Sequence, residues 1–374
     1  MRFRYDILFR KLEYCDLNRK LKKINLGIDF NALKRYNEHI SKIRGVIIMK
    51  KILAFVLAVV MLFSIVACNS STNDVTDNGE KVYNIGICQL VQHPALDEAT
   101  KGFRDALTEK LGDKVKFDEQ NASGEATNCT TITSKFVSDK VDLIMANATD
   151  ALTAASQATD TIPIVATSIT DYATALSITD WNGKTGFNVT GTSDLAPLAE
   201  QAKMIKELVP TAKNVGILYC SAEKNSKYQA DVMTAELKAM GINVKEYTFV
   251  DTNDVNSVTQ SIVNDKCDAV FVPTDNTAAS NTEAINNVLE PAKIPVIAGE
   301  AGICSGCGIA TLSISYYDLG YITGEMAYEI LVNGKDPAEM DIQFADAPEK
   351  MYLKSRADAL GITVPEGYAP LEEA

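Results

Sequence analysis

The sequence predicts an α/β protein made of two doubly wound parallel-sheet lobes, joined by a hinge and enclosing a central ligand cleft. Three observations carry this expectation. From Val82 onward, short apolar runs alternate with longer helical patterns, as in chains of parallel βαβ units. The alternation runs through twice in the same order. The 374 residues are enough to bury two cores.

The first series places strands at Tyr83–Cys88, Lys114–Glu119, Leu143–Ala146, Ile164–Ala166 and Gly186–Val189. The second places them at Asn214–Tyr219, Asn243–Thr248, Ala269–Val272, Val296–Ala298 and Ile309–Leu312. Helical patterns fall at Pro94–Leu111, Ala126–Ser138, Asp194–Leu208, Lys227–Met240 and Asn256–Asn264. Gly241 stands just past the fourth of these, where a left-handed residue ends a helix. The two series echo each other. Val141–Asp150 (VDLIMANATD) leads to a helix and then Ile162-Pro163, while Cys267–Asn276 (CDAVFVPTDN) leads to a helix and then Ile294-Pro295. Ligands of open parallel sheets bind beyond the carboxyl ends of the strands. Two such lobes facing each other enclose a gap, into which helices starting at Thr149 and Asn276 direct free N–H groups suited to a carboxylate.

The compartment is read from the leader. Residues Met49–Cys68 (MKKILAFVLAVVMLFSIVAC) set two lysines before an apolar run that ends in small residues and a cysteine. The Ile65-Val66-Ala67-Cys68 ending resembles a bacterial lipobox, which makes Cys68 the lipidated N-terminus of an exported protein. The alternative, a short transmembrane anchor, has a marginal length and leaves the Ala-Cys ending without a purpose. Met49 is the expected start, and residues 1–48 either follow a false start codon or form a disordered cytoplasmic extension. Residues 69–81 are polar enough for a flexible tether.

Charge narrows the partners. The chain carries a formal net charge of −13, but residues 1–48 hold 12 Lys/Arg against 5 Asp/Glu, and beyond Lys51 22 basic residues face 44 acidic ones. Such a body repels phosphate backbones, so nucleic acid is not an expected partner. His39 and His93 are the two histidines, no metal-ligand spacing occurs, and no cofactor motif is present. GxSxG, GxxxxGK[ST] and HExxH patterns are absent, so no enzyme activity is expected. Cys88, Cys129, Cys220 and Cys267 sit in or beside apolar runs, as buried thiols do. Cys304 and Cys307 read as a loop pair, either disulfide-bonded or free, without the surroundings of a redox motif.

The polar turns after the strands supply the candidate ligand-binding residues. Pro94 suits the first position of a helix, which puts Gln89, Gln92 and His93 at its mouth; an exposed helix cap is the other reading of His93. Asn147 and Thr149 follow one strand, and Thr167 and Ser168 the next, either facing the ligand or capping helices. The Gly191-Thr192-Ser193-Asp194 segment reads as a turn at a crossing between lobes, with Ser193 and Asp194 beside the cleft. In the second lobe Asn225 and Ser226 follow a strand. Asp275, next to Asn276, either pairs with a ligand ammonium or caps a helix. Glu300 is a weaker second anion, and Tyr316 and Tyr317 form a ring wall or core.

The string Gly86–Asp97 (GICQLVQHPALD) followed by Lys101-Gly102-Phe103 resembles the opening of the ABC-transporter substrate-binding lipoproteins of the tryptophan/tyrosine type. Further resemblance lies in Thr190–Asp194, Pro273–Thr277, Gly299-Glu300 and Ile314–Gly320, so that it spans almost everything after Val82. It implies a type I periplasmic-binding-protein fold with three crossings, the first lobe comprising 82–190 and 313–333 and the second 191–312 and 334–374. It implies an amino-acid ligand, often aromatic, delivered to an ABC permease by a lipid-anchored monomer. Cys304 and Cys307 depart from the family pattern and put aromatic preference in doubt. A sensory lipoprotein serving a separate receptor, a nucleoside binder and a secreted enzyme on a similar scaffold remain as other readings.

Overall fold

The computed structural model describes residues 81–371; the leader, Cys68 and nearly all of the tether lie outside that range. The first sheet is assembled from β1 (Tyr83–Gln89), β2 (Val115–Asn121), β3 (Leu143–Asn147), β4 (Ile164–Ile169), β5 (Val189–Ser193) and β11 (Gln343–Phe344). They lie in the order β11-β5-β4-β3-β1-β2, all parallel. The second sheet uses β6 (Asn214–Cys220), β7 (Asn243–Phe249), β8 (Ala269–Val272), β9 (Val296–Ala298), β10 (Ala310–Ser313), β12 (Glu349–Tyr352) and β13 (Ala369–Pro370). Its order is β13-β12-β10-β9-β8-β6-β7, with β12 antiparallel to β10. The five leading strands of each sheet follow one order, which confirms the echo in the sequence. Even its details repeat. Asp142 Oδ2 accepts from Asn84 N at 2.8 Å, and Asp268 Oδ2 accepts from Asn214 N at 2.8 Å, each tying the start of the neighbouring strand.

Alternation along the strands builds a core on each side of both sheets. On β3, Leu143 and Met145 enter one buried cluster while Ile144 and Ala146 enter another. On β8, Ala269 and Phe271 divide from Val270 and Val272 in the same way. Successive side chains of a strand point to opposite faces, so a strand covered on both sides must be apolar throughout, as these are.

Helices cover those faces. In the first half they are α1 (Pro94–Leu111), α2 (Ala126–Asp139), α3 (Thr149–Ala158) and α4 (Tyr172–Leu176). The second half has α5 (Leu198–Leu208), α6 (Lys224–Ala239), α7 (Val255–Asn264), α8 (Asn276–Ala279), α9 (Thr282–Leu289) and α10 (Ala301–Cys307). Next, α11 (Tyr316–Leu331) leaves β10 and packs on α1, and α12 (Lys354–Leu360) follows β12.

Four expectations need correction. The segment Gly191–Asp194 is not a turn, because Val189–Ser193 pairs with β4 and replaces the strand placed at 186–189. Its threonines suit a strand, and their hydroxyls are satisfied internally: Thr192 Oγ1 lies 3.0 Å from Thr167 Oγ1 and 2.9 Å from Thr323 Oγ1. The helix expected from Asp194 begins at Leu198, after Pro197. The chain does not leave the first sheet at 333, since β11 pairs with β5 and the next strand of the second sheet starts at Glu349. Finally, Cys304 and Cys307 lie on α10 rather than in a loop; both are buried and free, and the helix end is held by Arg356, which donates to the carbonyls of residues 304, 305, 306 and 308.

The contact of α1 with α11 is made by glycine. A Cβ built on Gly320 falls 1.9 Å from the Ala99 carbonyl oxygen, and one on Gly102 falls 2.1 Å from that of Tyr317. Backbone stands against backbone, with no flexible group to yield. Gly320→Ala is therefore expected to cost about 1–3 kcal/mol, the usual penalty of overpacking, read as a lower midpoint in urea denaturation. An unchanged midpoint would show that the helices slide apart freely.

Candidate functional site

The carboxyl ends of both sets of strands converge on one enclosed space between the sheets. It is lined by His93 from the β1–α1 connection, Leu96 from the first turn of α1, Ser168 and Thr170 from the end of β4, and Asp194 just after β5. The second half adds Asn225 from α6, Thr274, Asp275, Asn276 and Ala279 around the start of α8, and Glu300 after β9; Tyr316 opens α11. Its volume is about 10 Å³, room for roughly one water molecule. The halves touch directly around it. His93 Nε2 lies 3.2 Å from Asn276 Oδ1, Thr170 Oγ1 lies 3.4 Å from Thr274 Oγ1, and Gln229 Nε2 donates to both threonine hydroxyls.

Seven of the thirteen candidate residues line this space: His93, Ser168, Asp194, Asn225, Asp275, Asn276 and Glu300. The others are turned into supporting bonds. Gln89 Nε2 donates to Val91 O and Asp97 Oδ1, and its carbonyl accepts from Thr100 Oγ1 at 2.6 Å. Asn147 Nδ2 donates to Leu96 O and Thr100 Oγ1, fastening β3 to α1. Thr149 starts α3 away from the cavity and accepts from Thr153 through its carbonyl. Thr167 belongs to the Thr192 hydroxyl chain. Ser193 Oγ donates to Thr170 O at 3.1 Å, and Ser226 is wholly buried beneath Asn225.

Ser168 shows how the backbone aims a side chain. The register of β4 against β5 shifts between Ala166 and Ile169, and Ser168 takes φ +58°. A bulge of this kind redirects one side chain out of the alternation. Here it brings the hydroxyl of Ser168 to the cavity while Thr167 stays behind it.

The acids differ in how well they are satisfied. Asp275 Oδ2 accepts from Cys220 N at 2.6 Å and Oδ1 from Ala278 N at 2.7 Å, so this carboxylate caps α8 and ties it to β6. Burial and the nearby Glu223 push it up to about 8. Glu300 caps α10 through Gly302 N and Ile303 N, and burial raises it while His93 pulls it back. Asp194 caps nothing. Its Oδ2 accepts from Tyr316 OH at 2.8 Å, and burial pushes it up to about 6 against the pull of the Tyr316 and Thr170 hydroxyls.

Three buried atoms without a hydrogen-bond partner belong to residues of this lining: His93 Nδ1, Ser168 Oγ and Asp194 Oδ1. Native proteins leave few such atoms, and each costs about 1–3 kcal/mol. Their convergence marks a place built for groups the chain itself does not supply.

Residues that sequence reasoning passed over complete the site. Thr170 and Thr274 face each other across the gap. Glu223 accepts from Asn276 N, Asn276 Nδ2, Thr277 N and Thr277 Oγ1, holding α8 in place. A glutamate in a polar turn after a strand looks like an ordinary solvated residue, so nothing in the sequence flagged it. Outside Asn276 lies a wider cleft of about 430 Å³, whose walls include Leu90, Val91, Glu125, Asp150 and Glu223. Among the described residues no group of three or more His, Cys, Asp or Glu side chains is placed to hold a metal ion.

With this geometry in hand, comparison with known proteins is informative. Residues 84–370 match the family described as ABC transporter substrate binding protein. A Clostridioides difficile (strain R20291) protein named tyrosine-binding protein is 38% identical over 321 residues, which cover 83% of this chain and 92% of that protein. The crystal structure of the ABC domain in complex with L-Trp from Streptococcus pneumonia is 33% identical and superposes with a TM-score of 0.74, covering 77% of this chain and 100% of that one. The ligand-free, open structure of a Clostridium difficile substrate binding protein with adhesive properties is 37% identical, yet superposes with a TM-score of only 0.61 over 78% of this chain and 100% of that one. The chain belongs to the family of ABC transporter substrate-binding proteins, with the type I periplasmic-binding-protein fold.

Proposed function

We propose that this protein captures an aromatic amino acid outside the cell, closes its two lobes over it, and delivers it to the permease of an ABC importer without any chemical step. The observation that carries this reading is the convergence of His93 Nδ1, Ser168 Oγ and Asp194 Oδ1, buried and unpartnered, on one cavity between the sheets. The ligands named for two relatives, tyrosine and L-Trp, point to the aromatic class. Asp194 is the partner for the ligand ammonium, because both oxygens of Asp275 already accept from backbone N–H groups. Ser168 and His93 take the remaining polar groups, and Leu96, Ala279 and Tyr316 offer apolar wall.

A space of about 10 Å³ admits no amino acid, so entry requires the lobes to part. Direct bonds across the gap describe a closed arrangement, in keeping with the better superposition on the L-Trp complex than on the open form. Hinge motion of this kind is the usual way two-lobed binders enclose a ligand, and the ligand shifts the balance by preferring the closed form.

Closing empty has an electrostatic cost. When the lobes part, the Asp194 carboxyl meets water and returns to the ordinary carboxylate range near 4; in the closed form burial pushes it up to about 6. An acid whose value rises on burial binds protons in the closed form that it lacks when open. Closure is therefore cheapest below about pH 4, and its cost grows as pH rises towards 6, then levels off. A lipid anchor at Cys68, carrying palmitate among its acyl chains, would hold the monomer at the membrane surface beside its permease.

Three outcomes follow. Asp194→Ala weakens aromatic amino-acid binding by about 2–5 kcal/mol in titration calorimetry with the fold intact by circular dichroism; unaltered affinity removes Asp194 from the site. By X-ray scattering, the ligand-free chain is more compact at pH 5 than at pH 8.5, and equal radii at the two values would contradict the proposed cost of closure. Cys68→Ser abolishes incorporation of labelled palmitate, and a variant still labelled would place any acylation elsewhere.

A further inference from the structure

Whichever amino acid binds, the charge around the cavity is one-sided. Asp194, Asp275 and Glu300 line it, and Glu223 stands behind Asp275. Facing them is one imidazole, His93; among the described residues no Lys or Arg lines the cavity. The carboxylate of an amino acid therefore meets no guanidinium fork and no lysine.

The two helix starts beside the cavity are also occupied. At α8, Asn276 N and Thr277 N donate to Glu223, and Ala278 N donates to Asp275. At α10, Gly302 N and Ile303 N donate to Glu300. The protein's own acids have taken the places where an anionic ligand would seat, and α3 starts away from the cavity. Among the buried side-chain atoms of the lining, those open to a ligand anion are the Ser168 hydroxyl and one nitrogen of His93. What remains open to a ligand cation is Asp194 Oδ1, on a side chain 4% exposed.

We propose that the cavity recognises its ligand chiefly through the ammonium group, and so takes primary arylalkylamines lacking a carboxylate as well as amino acids. This rests on the reading of the cavity as the ligand site. The energetics are unequal. Removing the ligand carboxylate gives up hydrogen bonds of ordinary strength. Removing the ammonium leaves the Asp194 carboxylate buried beside two further acids with neutral hydroxyls alone to offset it, the expensive kind of loss. Burial raises all three acids, so a positive charge brought beside them would favour their ionised forms.

The test is calorimetric titration of the whole chain with six compounds: L-tyrosine and L-tryptophan, the amines tyramine and tryptamine, and the deaminated acids 3-(4-hydroxyphenyl)propionate and indole-3-propionate. The amines are expected to bind within about tenfold of the amino acids, and the deaminated acids about a hundredfold or more weaker. Deaminated acids binding as well as the amines, or better, would overturn the inference while leaving aromatic amino-acid binding standing. Amines that bind where the amino acids do not would uphold it and overturn the proposed transport substrate. Silence from all six would overturn both.

Discussion

Burying charge without a counter-charge is the constraint on which this molecule turns. Two sheets direct the ends of their strands at each other, and the loops there carry Asp194, Asp275 and Glu300 into a space with almost no water. A desolvated carboxylate must be paired, hydrogen-bonded or neutralised. Asp275 and Glu300 solve this locally by capping short helices, whereas Asp194 caps nothing and its Oδ1 is left without a partner. The incomplete solution at Asp194 gives the cavity its appetite for a cation.

The rest of the architecture holds that arrangement in place. Parallel strands buried on both faces make rigid platforms, and polar side chains behind the site are consumed in fixing it. Gln89, Thr100 and Asn147 form one bonded set that joins β1, β3 and α1. Glu223 performs the same service for α8. In each half a buried polar group supports a neighbour that faces the gap, and such bonded networks specify one geometry at the cost of tolerance to change.

Most of the fold was legible because it depends on burial and period. Apolar strands, helix spacing and the doubled order of elements survive any detail of side-chain direction. The strand Val189–Ser193 escaped notice because Thr-Gly-Thr-Ser has the composition of a turn, and only pairing with β4 and an internal hydroxyl chain make it a strand. The site was legible as a set of loops but not as a set of side chains. Thr167 and Ser168 are adjacent and chemically alike, yet a bulge sends one to the cavity and the other behind it. Likewise Gln89 and His93 share a connection, and the bonds of Gln89 to Asp97 and Thr100 turn it inward. Which polar group faces a ligand is decided by contacts between residues far apart in the chain, and one sequence does not display them.

The glycine-lined contact between α1 and α11 has a dynamic corollary. Backbones in direct touch cannot slide, so these two helices travel as one piece whenever the lobes separate. His93 immediately precedes α1 and Tyr316 opens α11. Their spacing is thus preset, along with that of Asp194, which Tyr316 holds by a hydrogen bond. In the proposed opening, the jaw carrying His93, Asp194 and Tyr316 would keep this geometry, and the other, carrying Asn225, Asp275 and Glu300, would move relative to it. Encounter would begin on the fixed jaw, and capture would end when the moving one arrives.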